Sequence, residues 1–177
     1  PASNRRRCLD GMSPAQEVCN AVSMLVPSLV GLCCWTYPPE GFSRGPRTAG
    51  LLLAVLVHAP FSLVYHFLLA CRALEDAIDN WSRILDQVFI HINCIIFTWL
   101  LSTNILYPVI WTLANLYFIF RLWRRSADVI ERMVNICLGT FGYGFAGLLR
   151  GDIWNFVWGL LSFATGGCAM ILRLGGW

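Results

Sequence analysis

The sequence predicts an all-α membrane protein, a polytopic helix bundle with six transmembrane helices and seven as the alternative count. Two features of composition lead to this fold class. Apolar residues make up 57% of the 177-residue chain and charged residues only 13%, against roughly 25% in soluble domains. The third observation is that the apolar segments are continuous, whereas the strands of a membrane barrel would alternate between apolar and polar residues.

Six apolar segments each come close to the ~20 residues that cross the apolar core of a bilayer. The first ends at the Pro/Gly-rich stretch YPPEGFSRGPR, and the second is followed by the acidic stretch RALEDAIDN. The stretch RRSADVIER separates the fourth segment from the fifth. A polar, Arg-rich segment of residues 1–13 therefore precedes a single transmembrane domain, residues 14–177. The predicted spans are 14–35, 48–71, 81–101, 105–123, 129–149 and 153–172.

The distribution of arginine predicts how the bundle is oriented. All thirteen basic residues are arginine, and three of them (Arg44, Arg47 and Arg150) fall at one end of the predicted bundle, so that ten fall at the other. Because the cytoplasmic or matrix side of a membrane protein carries the excess of positive charge, we expect both termini on that side. A mitochondrial inner membrane is the expected location, with an ER or Golgi membrane as the alternative. The ten are Arg5, Arg6, Arg7, Arg72, Arg83, Arg121, Arg124, Arg125, Arg132 and Arg173.

The composition also narrows the expected partners. The net charge of +3 does not indicate nucleic acid, and we expect membrane lipids and other membrane-protein subunits. Arg121, Arg124 and Arg125 are predicted to contact anionic lipid headgroups, with an ordinary positive-inside connection as the alternative. None of the eight cysteines forms a C-x-x-C pair, so neither a disulfide framework nor a zinc ribbon is expected.

The predicted fifth span contains the stretch GTFGYGFAG. Its small residues Gly139, Gly142, Gly144 and Gly147 would allow close approach of a neighbouring helix. The alternative, a ligand-binding glycine loop, is disfavoured because no strand precedes the stretch.

Polar side chains inside the predicted spans are the candidates for chemistry, since each ionisable group costs roughly 2.5–3.5 kcal/mol on insertion scales. In the first span Glu17 shares a helix face with Asn20 and Ser23. Alternatively, Glu17 is a first-turn residue at the membrane interface. The second span carries His58, Ser62 and His66 at four-residue intervals. The third span carries Asp86, which needs a cation, a hydroxyl or a proton as its partner.

The order of these motifs resembles that of the alkaline ceramidase and CREST superfamily, which includes adiponectin-receptor-like and Per1-like membrane hydrolases. The resemblance implies a seven-helix fold with a zinc held by three histidines, one from an S-x-x-x-H helix and two from H-x-x-x-H in the last helix. It also implies that the serine and the aspartate support the metal-bound water. The matching residues are Glu17, Asn20 and Ser23 (E-x-x-N-x-x-S), Ser62 and His66 (S-x-x-x-H), and Asp86 in the next span.

The last predicted span departs from the family pattern. It reads NFVWGLLSF, with Asn155 and Gly159 where the two histidines belong, and no histidine follows His91. A catalytic zinc needs three protein ligands, and His66 and Asp86 are the only candidates in family positions. The sequence therefore predicts a degenerate, catalytically inactive member without a cofactor. Ser62, His66 and Asp86 would remain as a buried hydrogen-bonded network between the second and third helices.

Four functions are compatible with these features. The first is a non-catalytic structural (supernumerary) subunit of a larger membrane complex, such as a respiratory-chain or ATP-synthase assembly, because the chain is compact and has no soluble domain. The second is a zinc-dependent amidase or hydrolase acting on a lipid. The third is a small proton-coupled transporter or channel, although the two halves show no internal repeat. The fourth is a haem protein whose iron ligands come from His58, His66 and His91.

Overall fold

The computed structural model describes residues 13–74, 79–154 and 156–161. These residues form an all-helical structure without strands, which confirms the all-α part of the predicted fold class. The described residues from 153 onward are also helical, while most of the predicted sixth span, together with Asn155, lies outside the described residues. The same holds for the N-terminal segment up to residue 12. The helices are α1 Pro14–Thr36, α2 Pro46–Ala70, α3 Trp81–Leu101, α4 Leu106–Trp123 and α5 Val129–Leu149.

Three of the helices begin where a polar side chain caps the first backbone N–H groups. In α1 the Ser13 hydroxyl accepts from Gln16 N at 3.3 Å, and Gln16 Oε1 accepts from Ser13 N at 2.9 Å. The side chains of Asn80 and Asp128 likewise cap α3 and α5, each at 2.8 Å. Helix α2 has no such side-chain cap and begins at Pro46, whose fixed φ suits the first helical position.

Helix α3 is the centre of the bundle, because it packs against α2, α4 and α5, while α1 packs against α2. Its buried positions are mostly polar, whereas α1 and α4 expose large apolar side chains along their length. A bundle that buries polar groups and exposes apolar ones suits lipid rather than water as its surroundings. Of the described helices, α1, α2 and α3 are long and apolar enough to cross a membrane.

Two glycines of α5 allow close helix packing, as the sequence predicts. A Cβ on Gly139 would lie 2.8 Å from Asn115 Oδ1, and a Cβ on Gly142 would lie 2.6 Å from the Trp111 ring. The Tyr107 hydroxyl donates to the Gly142 carbonyl at 2.7 Å, which joins α4 to α5. The other two positions are looser: a Cβ on Gly144 would lie 3.7 Å from the Phe156 ring, and a Cβ on Gly147 would meet no described side chain within 4 Å.

Candidate functional site

The polar cluster at the α2–α3 contact is built around the carboxylate of Asp86, which is only 4% exposed. His58 Nε2 lies 3.3 Å from Asp86 Oδ1, and the Ser62 hydroxyl also donates a hydrogen bond to this carboxylate. Arg83 Nη1 lies 3.7 Å from Asp86 Oδ2, one turn earlier on the same helix. The buried charge of Asp86 therefore has an imidazole, a hydroxyl and a guanidinium as partners, which together offset its desolvation.

A second buried pair joins α1 to α2. His66 Nδ1 lies 2.8 Å from Glu17 Oε2, and Glu17 is 6% exposed. Glu17 therefore lies in the first turn of α1, and its side chain is enclosed between two helices. Asn20 and Ser23 are not drawn into the same contact: the Ser23 hydroxyl donates to the Asn20 carbonyl at 2.7 Å within α1.

Tyr65 lies between the two acidic pairs. Its ring is 4.9 Å from the His66 ring, and the Arg83 guanidinium lies over it at 4.7 Å from the ring centroid. This distance is within the range of a cation–π contact. The buried polar groups therefore continue along α2 from the Glu17–His66 pair to the carboxylate of Asp86.

The structure differs from the predicted network in the partner it gives to Asp86. The sequence places Asp86 with His66, as in the resembling family, whereas the structure places it with His58, and His66 with Glu17. The predicted contact between Ser62 and Asp86 is present. Within the described residues, no group of three or more His, Cys, Asp or Glu side chains is arranged to hold a metal ion.

Three further contacts were not anticipated from the sequence. His91 Nδ1 donates to Asn115 Oδ1 at 2.8 Å, which joins α3 to α4. The Ser28 hydroxyl donates to the Val55 carbonyl at 3.2 Å, which adds a second polar link between α1 and α2. The only sequence signal for either contact is a polar residue inside an apolar segment, and that signal does not name its partner.

The third unanticipated contact is made by Arg132. This arginine belongs to the stretch RRSADVIER between the fourth and fifth predicted spans, yet it is only 6% exposed. Its Nη2 lies 2.5 Å from Asp79 Oδ1, and its Nε donates to the Ala127 carbonyl at 2.9 Å. This ion pair ties the start of α5 to the connection before α3. Asp79, just before α3, and Ala127, just before α5, therefore lie at the same end of the bundle.

The three arginines predicted to contact lipid headgroups have different surroundings. Arg121 is bound within the protein, because its Nη2 lies 2.8 Å from Glu131 Oε2 and its Nε donates to Ser126 Oγ at 3.0 Å. Arg124 and Arg125 are exposed. Arg124 lies 5.8 Å from the centroid of the Phe120 ring and leaves its guanidinium accessible. The exposed cationic surface at this connection is therefore formed by Arg124 and Arg125.

Comparisons of the chain with protein-family models, with curated proteins and with solved structures found no match.

Proposed function

We propose that this chain is a non-catalytic, ceramidase-like integral membrane protein that serves as a structural (supernumerary) subunit of a larger membrane complex. A respiratory-chain or ATP-synthase assembly of the mitochondrial inner membrane is the proposed host. The observation that carries the proposal is that the buried polar side chains of neighbouring helices bind one another. They therefore act as contacts between helices, and the contact of Ser62 with Asp86 supports descent from a hydrolase fold.

The polar contacts connect four helices in series. Glu17–His66 joins α1 to α2, His58–Asp86 joins α2 to α3, and His91–Asn115 joins α3 to α4. Interhelical hydrogen bonds in membranes contribute about 0.6 kcal/mol each on average and up to about 1.7 kcal/mol. Their larger effect is on specificity, because a shift of one helix along its neighbour would leave a buried polar group without its partner.

The surface of the bundle supports a role inside an assembly. Helix α4 exposes a long row of large apolar side chains, and α1 exposes another. Such surfaces are suited to contact either lipid chains or the apolar spans of other subunits.

We further propose a six-span topology with both termini on the arginine-rich side. In support, Glu17 near the start of α1 contacts His66 near the end of α2. This is the same end of the bundle as Asp79 of the connection before α3 and Ala127 of the connection before α5, both of which bind Arg132. These connections and the adjoining helix turns hold six of the arginines. Helices α4 and α5 would complete the spans that α1, α2 and α3 begin, and the helical residues from 153 onward would start the sixth. An ER or Golgi membrane is the alternative location.

The test is the state in which the chain is isolated from its own membrane. Membranes are solubilised in a mild detergent, and an epitope-tagged chain is followed by native electrophoresis and quantitative mass spectrometry. We expect nearly all of it in one large assembly at a fixed molar ratio to the other subunits. Deleting the chain should lower the amount of assembled complex. Recovery as a free single chain that cleaves a lipid amide would overturn the proposal in favour of the hydrolase.

A proton-coupled transporter is the second candidate, and the two carboxylate–imidazole pairs favour it. When both carboxylates are ionised, Glu17 and Asp86 carry two negative charges and Arg83 carries one positive charge. The cluster then has one negative charge in excess, which one bound proton would neutralise. An imidazole of His58 or His66 can hold that proton. Proton flux into liposomes loaded with a pH-sensitive dye tests this function. Flux that Asp86→Asn abolishes, and that Glu40→Gln in the exposed α1–α2 connection leaves intact, would favour the transporter.

A further inference from the structure

A small polar cavity lies between α3, α4 and α5, toward the arginine-rich end of the bundle. Gln87 and His91 of α3 line one wall, and Arg132 and Asn135 of α5 line the other. These four side chains are buried, with exposed fractions of 3%, 2%, 6% and 8% respectively. The cavity has a free volume of about 10 Å³, which is roughly the volume that one water molecule requires.

The α3 wall carries one acceptor without a donor, on Gln87, and a second potential acceptor, on His91. Within the described part of the chain, Gln87 Oε1 is buried without a hydrogen-bond partner. His91 uses Nδ1 to donate to Asn115 Oδ1, and the Asn115 amide is held in that orientation because its Nδ2 donates to the Trp111 carbonyl at 2.8 Å. A neutral imidazole with its proton on Nδ1 presents Nε2 as an acceptor. The wall therefore offers an amide oxygen and an imidazole nitrogen, one helical turn apart.

The chemistry of the walls excludes charged occupants. A metal cation or an ammonium ion would lie against the guanidinium of Arg132, and an anion would face the two acceptors of Gln87 and His91. A neutral molecule with two donor hydrogens on one heavy atom satisfies both acceptors within the available volume. Its own oxygen can accept from an N–H group of Asn135 on the opposite wall.

We propose that this cavity binds one water molecule, which donates to Gln87 Oε1 and His91 Nε2 of α3, accepts from the side-chain N–H of Asn135 of α5, and so bridges the two helices. Burying the amide oxygen of Gln87 without a donor would be costly in a lipid environment, where no solvent water can reach it. With the water in place, the polar contacts between helices also join α3 to α5. The inference does not depend on the proposed function.

The occupancy of the cavity is tested on the unmodified protein by nuclear magnetic resonance in detergent micelles. The chain has two glutamines, Gln16 and Gln87, so selective ¹⁵N-glutamine labelling gives two side-chain amide signals. We expect a cross-peak to a long-lived water at Gln87, while Gln16 at the exposed start of α1 is the internal control. Histidine labelling should show His91 with its proton on Nδ1. A Gln87 amide without a bound-water cross-peak, or a proton on Nε2, overturns the proposal.

A pair of shape-matched substitutions tests the bond to Gln87 through the sign of a stability change. If the cavity holds a water molecule, Gln87→Met removes one of its hydrogen-bond acceptors, so the thermal unfolding midpoint should fall by about 2–4 °C. If the cavity is empty, the same change removes an unpaired acceptor and should raise the midpoint. The control is Asn93→Leu, because Asn93 Oδ1 is also buried without a partner but does not line the cavity. We expect that control to leave the midpoint unchanged or higher. A midpoint for Gln87→Met that is unchanged or higher would overturn the proposed bond.

Discussion

Glu17 and His66 form a hydrogen-bonded pair at 2.8 Å although they are 49 residues apart in the chain. The pair joins the first turn of α1 to the last turn but one of α2, where both side chains are shielded from solvent. Helix α1 is otherwise mostly apolar and largely exposed, with Glu17, Ala21 and Ser28 as its buried residues. Apolar contacts alone would leave α1 free to slide or rotate along α2, so this pair and the Ser28 hydroxyl define how the two helices meet.

The coupling between Glu17 and His66 is measurable by a double-mutant cycle. Glu17→Gln and His66→Asn should each destabilise the bundle by about 1–3 kcal/mol, because each leaves a buried polar partner without its hydrogen bond. Their combination should cost less than the sum, with a coupling of about 0.6–1.7 kcal/mol. Unfolding in detergent by added SDS measures these differences, and Glu40→Gln in the exposed connection is the matched control. Strictly additive single effects would show that the pair is not formed.

Metal binding gives the second prediction. The purified chain, incubated with zinc and desalted, should retain well below one zinc per chain. Asp86 is held by His58, Ser62 and the positive charge of Arg83, while His66 is held by Glu17, and a catalytic zinc requires three protein ligands. Elemental analysis by mass spectrometry measures the content. One zinc per chain that His66→Asn or Asp86→Asn removes would contradict this expectation and restore the hydrolase.

Continuous apolar segments of bilayer length were sufficient to predict the described helices. The third and fifth segments, predicted at 81–101 and 129–149, coincide with Trp81–Leu101 and Val129–Leu149. The reason is physical: Asn80 and Asp128 provide caps, and a bilayer selects continuous apolar segments of a defined length. Helix α2 begins two residues earlier than predicted, at Pro46, because proline suits the first helical position.

The partners of the polar side chains could not be predicted in the same way. His58, Ser62 and His66 share one face of α2, so the sequence permits Asp86 to meet either histidine. The choice depends on how far α3 is shifted along α2, and that shift is determined by packing over the whole interface. The burial of Arg132 against Asp79 was missed for a similar reason, since a connection arginine is ordinarily solvated. Local sequence identifies polar groups that need partners, while helix register decides which partners they obtain.

The close approach of α5 to α4 predicts unequal effects of glycine replacement. Gly142→Ala should destabilise by about 1–3 kcal/mol because its Cβ would lie 2.6 Å from the Trp111 ring. Gly139→Ala should also destabilise, since its Cβ would meet Asn115 Oδ1 at 2.8 Å. The matched control is Gly147→Ala, which meets no described atom within 4 Å and should be neutral or stabilising through its higher helix propensity. Thermal unfolding in detergent ranks the three variants, and equal effects at Gly142 and Gly147 would contradict the packing.

Binding of anionic lipid should depend on Arg124 and Arg125 and not on Arg121. The first two are exposed beside the end of α4, whereas Arg121 is bound to Glu131 and Ser126. An arginine near an acidic leaflet contributes about 1 kcal/mol, so Arg124→Gln and Arg125→Gln should each weaken lipid retention about fivefold. Native mass spectrometry with a titrated acidic phospholipid measures this retention. Arg47→Gln, which changes an exposed arginine at the opposite end of the bundle, is the control.

Arg121→Gln should instead lower stability, because Glu131 loses its ion-pair partner. A larger loss of lipid in that variant than in Arg124→Gln would contradict the assignment.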